Sequence, residues 1–349
     1  MSAVSICVVG AGAIGSAHIQ LIKNNPLCEL HSIVDTSAQA LELAKATHTR
    51  FLPNLQEMLQ GDLPDGVILA SPNHLHVSQA LDCIKKGLPI LLEKPIATTV
   101  KEGKQLVQAV AKLGAKVLIG HHRAHSPIMQ QAALSVQSGA LGRVVCVSGF
   151  ATFFKPSTYF TQASWRAQPG GGPILINLIH EIHNLRMLCG EITQVQAMCS
   201  NAVRGFEVED TVAINFRFES GVLGTFILSD TAAGTRSWEQ TSGENKAYAH
   251  YPMDDCYVIT GTLGSLSVPS MRLQLFNEIR DASWFNSMKE TLLTRAGDDD
   301  PLANQISHFI QVIKGICAPL VSANDGLKNL NVIECILEAA KSGKVVTIG

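Results

Sequence analysis

The sequence predicts an α/β chain in two domains: a doubly wound parallel sheet, then a domain of antiparallel strands with helices. Three observations carry that expectation. The chain has 349 residues, too many for one ordinary core. Up to about residue 120, apolar β-like runs alternate with helix-like segments, as in a parallel sheet covered on both faces. After Ser126-Pro127 successive strand-like runs follow one another with short turns such as Glu219-Ser220-Gly221, as in an antiparallel sheet. The boundary is placed between residues 123 and 124, giving domains of 1–123 and 124–349.

The expected strands of the first part are Val4–Val9, Leu30–Val34, Gly66–Ala70, Pro89–Leu92 and Lys116–Ile119. Between them, Val77, Leu81 and Ile84, or Leu106, Val110 and Leu113, recur at helical spacing. The second part opens with a helix near Ile128 to Ser138 and a long run from Val144 to Phe154. Further runs are Val195–Ser200, Thr211–Phe218, Val222–Leu228, Tyr257–Thr260, Ser265–Val268 and Leu273–Phe276. Residues 277–300 read as a surface loop, and helices near Leu302–Lys314 and Gly326–Lys341 close the chain.

The first strand runs into Gly10-Ala11-Gly12-Ala13-Ile14-Gly15, a Gly-x-Gly-x-x-Gly pattern that opens a helix. Gly10 suits the tight turn, Gly12 lets a pyrophosphate approach the backbone, and Gly15 lets the helix pack on the sheet. The N–H groups at that helix start, around Ala13 and Ile14, suit phosphate oxygens. The second run ends in Asp35, about twenty residues on, where an acid would bond a ribose diol and repel a 2′-phosphate. Together these features predict a Rossmann dinucleotide-binding unit that prefers NAD over NADP.

Composition narrows the rest. With 46% hydrophobic and 16% charged residues the chain is globular rather than disordered. The net charge of −2 and the lack of a basic cluster give no reason to expect nucleic acid, and Asp298-Asp299-Asp300 reads as a solvated loop. No stretch approaches the length of a membrane span, and no basic region precedes the first apolar run, so neither a span nor a signal peptide is expected. The nine scattered cysteines form no Cys-x-x-Cys pair and read as reduced, buried small hydrophobes of a cytoplasmic protein.

Ligands of a doubly wound sheet sit beyond the carboxyl ends of its strands, so those loops hold the candidates. Ser71-Pro72-Asn73-His74-Leu75-His76 follows the third clear strand and suits cofactor contacts, although each histidine alone could simply cap or pack the next helix. Glu93-Lys94-Pro95 breaks the next strand with a charge pair. A lysine desolvated in a cleft has a lowered pKa and can exchange a proton with a hydroxyl, and Glu93 could hold a ribose hydroxyl. A surface ion pair is the other reading of that tripeptide. Gly170-Gly171-Gly172-Pro173 leads into a helix whose apolar face is Leu175, Leu178, Ile179, Ile182 and Leu185. Asn177, His180 and Asn184 fall on another face with His183 beside them, as a site or as satisfied core polar groups. His180 and His183 are three apart rather than four, so no metal is expected.

The glycine motif, Glu93-Lys94-Pro95 and the triple glycine before a helix bearing His180 together resemble the Gfo/Idh/MocA oxidoreductases, the relatives of glucose–fructose oxidoreductase and inositol dehydrogenase, over essentially the whole chain. The resemblance implies an N-terminal Rossmann domain and a C-terminal α/β domain with an open, mostly antiparallel sheet, whose outer face builds homodimers or homotetramers. It implies a cis peptide at Lys94-Pro95, with Glu93 and Pro95 lining the nicotinamide riboside. It implies Lys94 as the proton-transferring residue, with His180 orienting the substrate hydroxyl. It puts Asn73, His76 and the stretch Gly120-His121-His122-Arg123 near the cofactor, His122 among its contacts and Arg123 toward substrate. Lys155-Pro156, Tyr159, Trp165 and Arg166 fall in a loop roofing the site, and His183 on the helix is a further substrate candidate. Many members carry an aspartate four residues before the helix histidine, where this chain has Ile176, with Asn177 as its polar neighbour. The implied activity is NAD-dependent hydride transfer at a secondary alcohol of a sugar, inositol or related polyol. Phe153, Phe154, Tyr159 and Phe160 leave open a dihydrodiol substrate, and the superfamily also contains a non-catalytic co-repressor.

Overall fold

Six strands make the first sheet: β1 (Val4–Val9), β2 (Cys28–Val34), β3 (Arg50–Leu52), β4 (Gly66–Leu69), β5 (Ile90–Glu93) and β6 (Val117–Gly120). They lie in the order β3-β2-β1-β4-β5-β6, every pair parallel. β4, β5 and β6 are buried at every position, as apolar runs covered on both faces require. The order reverses between β1 and β4, so the loops leaving those two strands open beside each other. This is a computed structural model, and it describes residues 3–297 and 299–349. Asp298 of the acidic run therefore lies outside the described residues.

Two compact units emerge: Met1–His122 with Leu302–Leu330, and Arg123–Pro301 with Asn331–Gly349. Sequence reading placed everything after residue 123 in the second domain. Residues 302–330 instead pack with the first sheet, and the reason is local. Phe309 and Ile313 of the helix Pro301–Ile313 fill the space where Gly66 of β4 has no side chain, and the Ile119 N–H of β6 donates to the Val321 carbonyl at 2.9 Å. Helical periodicity predicts an apolar face but not the surface that receives it.

The second unit holds β7 (Val144–Thr152), β8 (Ile192–Ser200), β9 (Thr211–Phe218), β10 (Leu223–Ser229), β11 (Tyr257–Gly261), β12 (Gly264–Val268), β13 (Arg272–Leu275), β14 (Lys289–Leu292) and β15 (Val346–Thr347). Their order is β14-β13-β12-β11-β7-β10-β9-β8-β15; β7 and β10 pair parallel and the other neighbours antiparallel. β9 alternates buried and exposed positions, the pattern of a sheet with one covered face. Ile128, Ile182, Leu185, Ile333 and Ile336 from three helices join Phe226, Tyr257 and Phe218 in the core of that covered face.

Three local features depart from the sequence reading. β3 is too short for its alternation to be recognised. β14 is exposed at all its positions, so it has no buried face to betray it within the supposed loop 277–300. The helix expected after Pro173 begins as a π-helical turn, Ile174–Leu178, before the α-helix Ile179–Cys189. Not every cysteine is buried either: all nine are free thiols, but Cys146 and Cys199 are exposed.

A polar knot sits inside the second core. Arg123, expected to face substrate, is 3% exposed and gives Nη1 to Glu181 and Nη2 to Glu239, each at 2.5 Å. The Tyr257 hydroxyl donates to the other oxygen of Glu181 and accepts from Asn184 at 3.0 Å. Burial presses the Glu181 carboxyl upward in pKa, and Arg123 opposes it. Removing one partner strands the other charge. Arg123→Met is therefore expected to cost about 3–5 kcal/mol, a fall in melting temperature of about 10 °C, and Arg123→Met with Glu181→Met is expected to recover most of it. An unchanged melting curve for the single variant would refute the strut.

Candidate functional site

The turn after β1 is built by close backbone approach. Gly10 has φ +89, and a Cβ there would meet the Ala70 carbonyl at 2.6 Å and the Ser71 nitrogen at 2.7 Å. A Cβ on Gly15 would overlap the Gly10 carbonyl oxygen, so the helix Ala13–Asn24 lies directly on the turn. Gly12 faces open space and caps that helix without a side chain. The result is a bare helix start over the switch point, which fits a pyrophosphate.

Asp35 stands at the end of β2 beside this turn. Its Oδ2 accepts from the Ala11 N–H and its Oδ1 from the Ser37 N–H, both at 2.7 Å. Burial pushes its pKa up, but the bonds from Ala11 and Ser37 outweigh that and hold the carboxyl below its ordinary value. It is an anion beside the glycine turn, a place that fits a ribose diol.

The loops after β4 and β5 are tied together by His76. It is 1% exposed, with Nδ1 at 2.7 Å from the Pro95 carbonyl and Nε2 at 2.9 Å from the Ser71 carbonyl. Burial lowers its pKa against the pull of those carbonyls. His76 is thus a clamp between the Ser71-Pro72-Asn73 loop and the Lys94-Pro95 turn. Asn73 opens a short 3₁₀ turn, Asn73–Leu75, and Ser71 Oγ donates to Gln79 at 2.5 Å.

Glu93 is 5% exposed and does not reach outward. Its Oε1 lies 2.8 Å from His18 Nε2, and its Oε2 accepts from the Lys94 N–H at 3.3 Å. Burial raises its pKa, yet His18, with smaller help from Lys94 and His122, keeps the carboxyl below its ordinary value. Glu93, expected to hold a ribose hydroxyl, sits in a buried pair that fixes the end of β5. Lys94 follows it, half-buried, and the Lys94–Pro95 peptide is cis. The sequence reading missed His18. Its signal was its place in the stripe Gly15, His18, Ile19 and Ile22, all buried on one helix face.

In the second unit, His180 is 7% exposed on the helix Ile179–Cys189, and His183 is as buried. Asn177, in the π turn, accepts a bond from Lys155 Nζ at 2.7 Å. Lys155 also lies 3.5 Å from Asp230 and over the Tyr159 ring at 4.8 Å. Arg166 stacks on Tyr159 at 3.9 Å and donates to its carbonyl at 2.7 Å, beside the half-exposed Trp165. Lys155, Asn177, Tyr159 and Arg166 are thus brought together, while Asn184 turns into the core toward Tyr257. Asp230, Arg204 and Glu209 complete the cluster unforeseen; Glu209 accepts from the Ile174 N–H at 2.8 Å at the start of the π turn.

Residues 4–121 match an oxidoreductase family with an NAD-binding Rossmann fold, and residues 129–267 match the Gfo/Idh/MocA C-terminal domain. The chain belongs to the Gfo/Idh/MocA oxidoreductase family. Among its relatives, the rhizopine catabolism protein MocA of Rhizobium meliloti is 28% identical over 258 residues, 71% of this chain and 79% of that one. The 1,5-anhydro-D-fructose reductase of Ensifer adhaerens is 26% identical over 92% of this chain and 91% of its own. An oxidoreductase from Agrobacterium radiobacter, solved with NAD+, L-tartaric acid and magnesium, has the same fold at a TM-score of 0.83 and 16% identity, covering 100% of this chain and 99% of that one.

As a Gfo/Idh/MocA oxidoreductase the chain is an NAD-dependent enzyme, and the bare turn at Gly12 with Asp35 beside it is where its own residues fit that dinucleotide. Among the described residues no group of three His, Cys, Asp or Glu side chains is set to hold a metal ion, and no helix is long and apolar enough to cross a membrane. Because the folded Asp35 carboxyl is depressed, its contribution to stability is present above its unfolded pKa of about 3.9 and is lost as pH falls through the lower folded value. Asp35→Asn is therefore expected to lower the melting temperature at pH 6–7 and to converge on the unaltered protein below about pH 4. A gap that persists at low pH would contradict this.

Proposed function

We propose that this oxidoreductase transfers hydride between a secondary alcohol of a sugar, inositol or related polyol and NAD, with Lys94 and His180 handling the proton. The observation that carries the reading is the position of Lys94. It stands at the carboxyl end of a central strand, behind a glutamate whose charge is already held by His18. NAD, when bound, supplies the hydride acceptor. The Lys94 amine takes the hydroxyl proton as a general base, and His180 hydrogen-bonds the same oxygen to orient it. Relatives named for an anhydrofructose and for an inositol support a polyhydroxylated substrate.

We place the dinucleotide contacts on the first unit: Gly10, Gly12, Ala13, Ile14 and Gly15 at the phosphates, Asp35 at the adenosine ribose, and Ser71, Pro72, Asn73, His76, Glu93, Lys94, Pro95 and His122 toward the nicotinamide end. Trp165, Arg166, Tyr159 and His183 serve the substrate. We further assign the protein to the cytoplasm, where its free thiols stay reduced. The outer face of the nine-stranded sheet, where Met198, Leu223 and Val145 are exposed, joins copies into a dimer or tetramer.

Lys94→Ala is expected to lower kcat by about 10²–10⁴-fold while the Kd for NAD, read by calorimetry, stays within about threefold, under half of one 1.4 kcal/mol decade. Turnover that survives the substitution would remove Lys94 from the chemistry. Asp35→Ser with arginine at Thr36 is expected to move the cofactor preference toward NADP, measured as the ratio of kcat/KM values. An unaltered protein that already prefers NADP would overturn the Asp35 assignment.

A further inference from the structure

The loop after β7 brings a lysine to the π turn. Lys155 is 9% exposed, and its ammonium lies 2.7 Å from Asn177 Oδ1, 3.5 Å from Asp230 Oδ2, and over the rings of Tyr159 at 4.8 Å and Phe153 at 5.4 Å. An ammonium only donates. The Asn177 amide is therefore fixed with its oxygen toward Lys155, whichever way an isolated amide would be assigned. Its NH₂ group is the end left to face anything else. An asparagine that could have offered either polarity has been made a donor.

The carboxylates nearby are committed. Asp230, 2% exposed on its side chain, accepts from Arg204 Nε at 2.9 Å as well as facing Lys155. Asp210 takes the N–H groups of Val203 and Arg204 and the Thr211 hydroxyl. Glu209 takes the Ile174 N–H, and burial raises its pKa toward the neutral acid. Arg166 adds a second cation on the Tyr159 ring. Asn177 precedes His180 by three residues, across the join between the π turn and the α-helix, so the two lie within one turn of each other. Two side chains so close on one segment can meet two neighbouring groups of one ligand, such as a carbinol and a carboxyl group on adjacent carbons.

We propose that Lys155 and Asn177 are specificity-determining residues that select a sugar acid, binding the carboxylate beside the carbinol that reacts. The assignment rests on the oxidoreductase reading above and names the substrate class within it. Charge-assisted bonds to a carboxylate are about twice as strong as those to a neutral hydroxyl, which is the source of the selection. Lys155 is the positioning member, because it fixes the amide, and Asn177 meets the substrate.

The test uses the full chain with NAD on two matched pairs whose acid carries a carbinol next to the carboxylate: gluconate and glucitol, galactonate and galactitol. Reduced cofactor is followed by absorbance. The acid of a reactive pair is expected to exceed its neutral partner by about tenfold or more in kcat/KM, the factor one charge-assisted bond supplies. Lys155→Met is expected to raise KM for that acid by about tenfold with kcat little changed, and Lys155→Arg to restore part of the loss. Asn177→Asp, which replaces the donor by an acceptor, is expected to reverse the preference within the pair. A simply structural lysine would lower kcat and melting temperature together and would not reverse any preference. Equal or better turnover of the neutral partners, lost in Lys94→Ala, overturns the sugar-acid inference and leaves the polyol oxidoreductase standing. Silence on every acid and every neutral partner, with NAD still bound, overturns both.

Discussion

The carbonyl oxygen of Gly10 occupies the place where any side chain at position 15 would go, and the first unit depends on that closeness. Because the helix Ala13–Asn24 lies on the turn, its next inward residue, His18, reaches the end of β5 and meets Glu93 at 2.8 Å. Glu93 in turn fills the space beside Gly120 of β6, where a Cβ would come within 2.8 Å of its carboxyl group. One backbone contact thus propagates across β1, the helix, β5 and β6. A carboxylate this buried is costly unless it is hydrogen-bonded and neutralised, so His18 and Glu93 hold each other, and the residue after Glu93 inherits a fixed direction.

Much of this was legible before any coordinates. The apolar runs of the parallel sheet are buried on both faces and so are unmistakable, and the spacing of Gly10, Gly12, Gly15 and Asp35 carries its own chemistry. The position of Lys94 at a strand end followed from the charge that interrupts an apolar run. Pairings across long sequence distances were not legible. His18 and Glu93 are 75 residues apart, Arg123 and Glu181 58, Arg123 and Glu239 116. Periodicity says which face of a helix turns inward, yet it does not say which polar group waits there. Arg123, set toward substrate by the family resemblance, is bound by two carboxylates from distant elements that no local pattern discloses.

The π turn is the other illegible feature. A helix from Pro173 with Leu175, Leu178, Ile179 and Ile182 inward is a sound reading of the spacing, and Leu178, Ile179 and Ile182 are indeed buried. The wider turn at Ile174–Leu178 changes where Ile176 and Asn177 point while leaving the later face intact. Such insertions mark functional segments more often than chance. Here the widened segment begins on Glu209 and carries Asn177 to Lys155.

The helix of His180 is held by charge more than by propensity. Its apolar residues bury into the second core, but so do Glu181, His183, Asn184 and Arg186, which no isolated helix would prefer to hide. Glu181 is bound by Arg123 and Tyr257, Asn184 by Tyr257, Arg186 by Glu191, and Asn177, just upstream, by Lys155. Each of these groups is expensive to bury alone and inexpensive only with its partner in place. A small rotation of the helix would break several pairs at once, whereas an apolar helix could slide over its neighbours at little cost. Buried ion pairs add little net stability; what they add here is a steep penalty for any other orientation of the helix that carries His180.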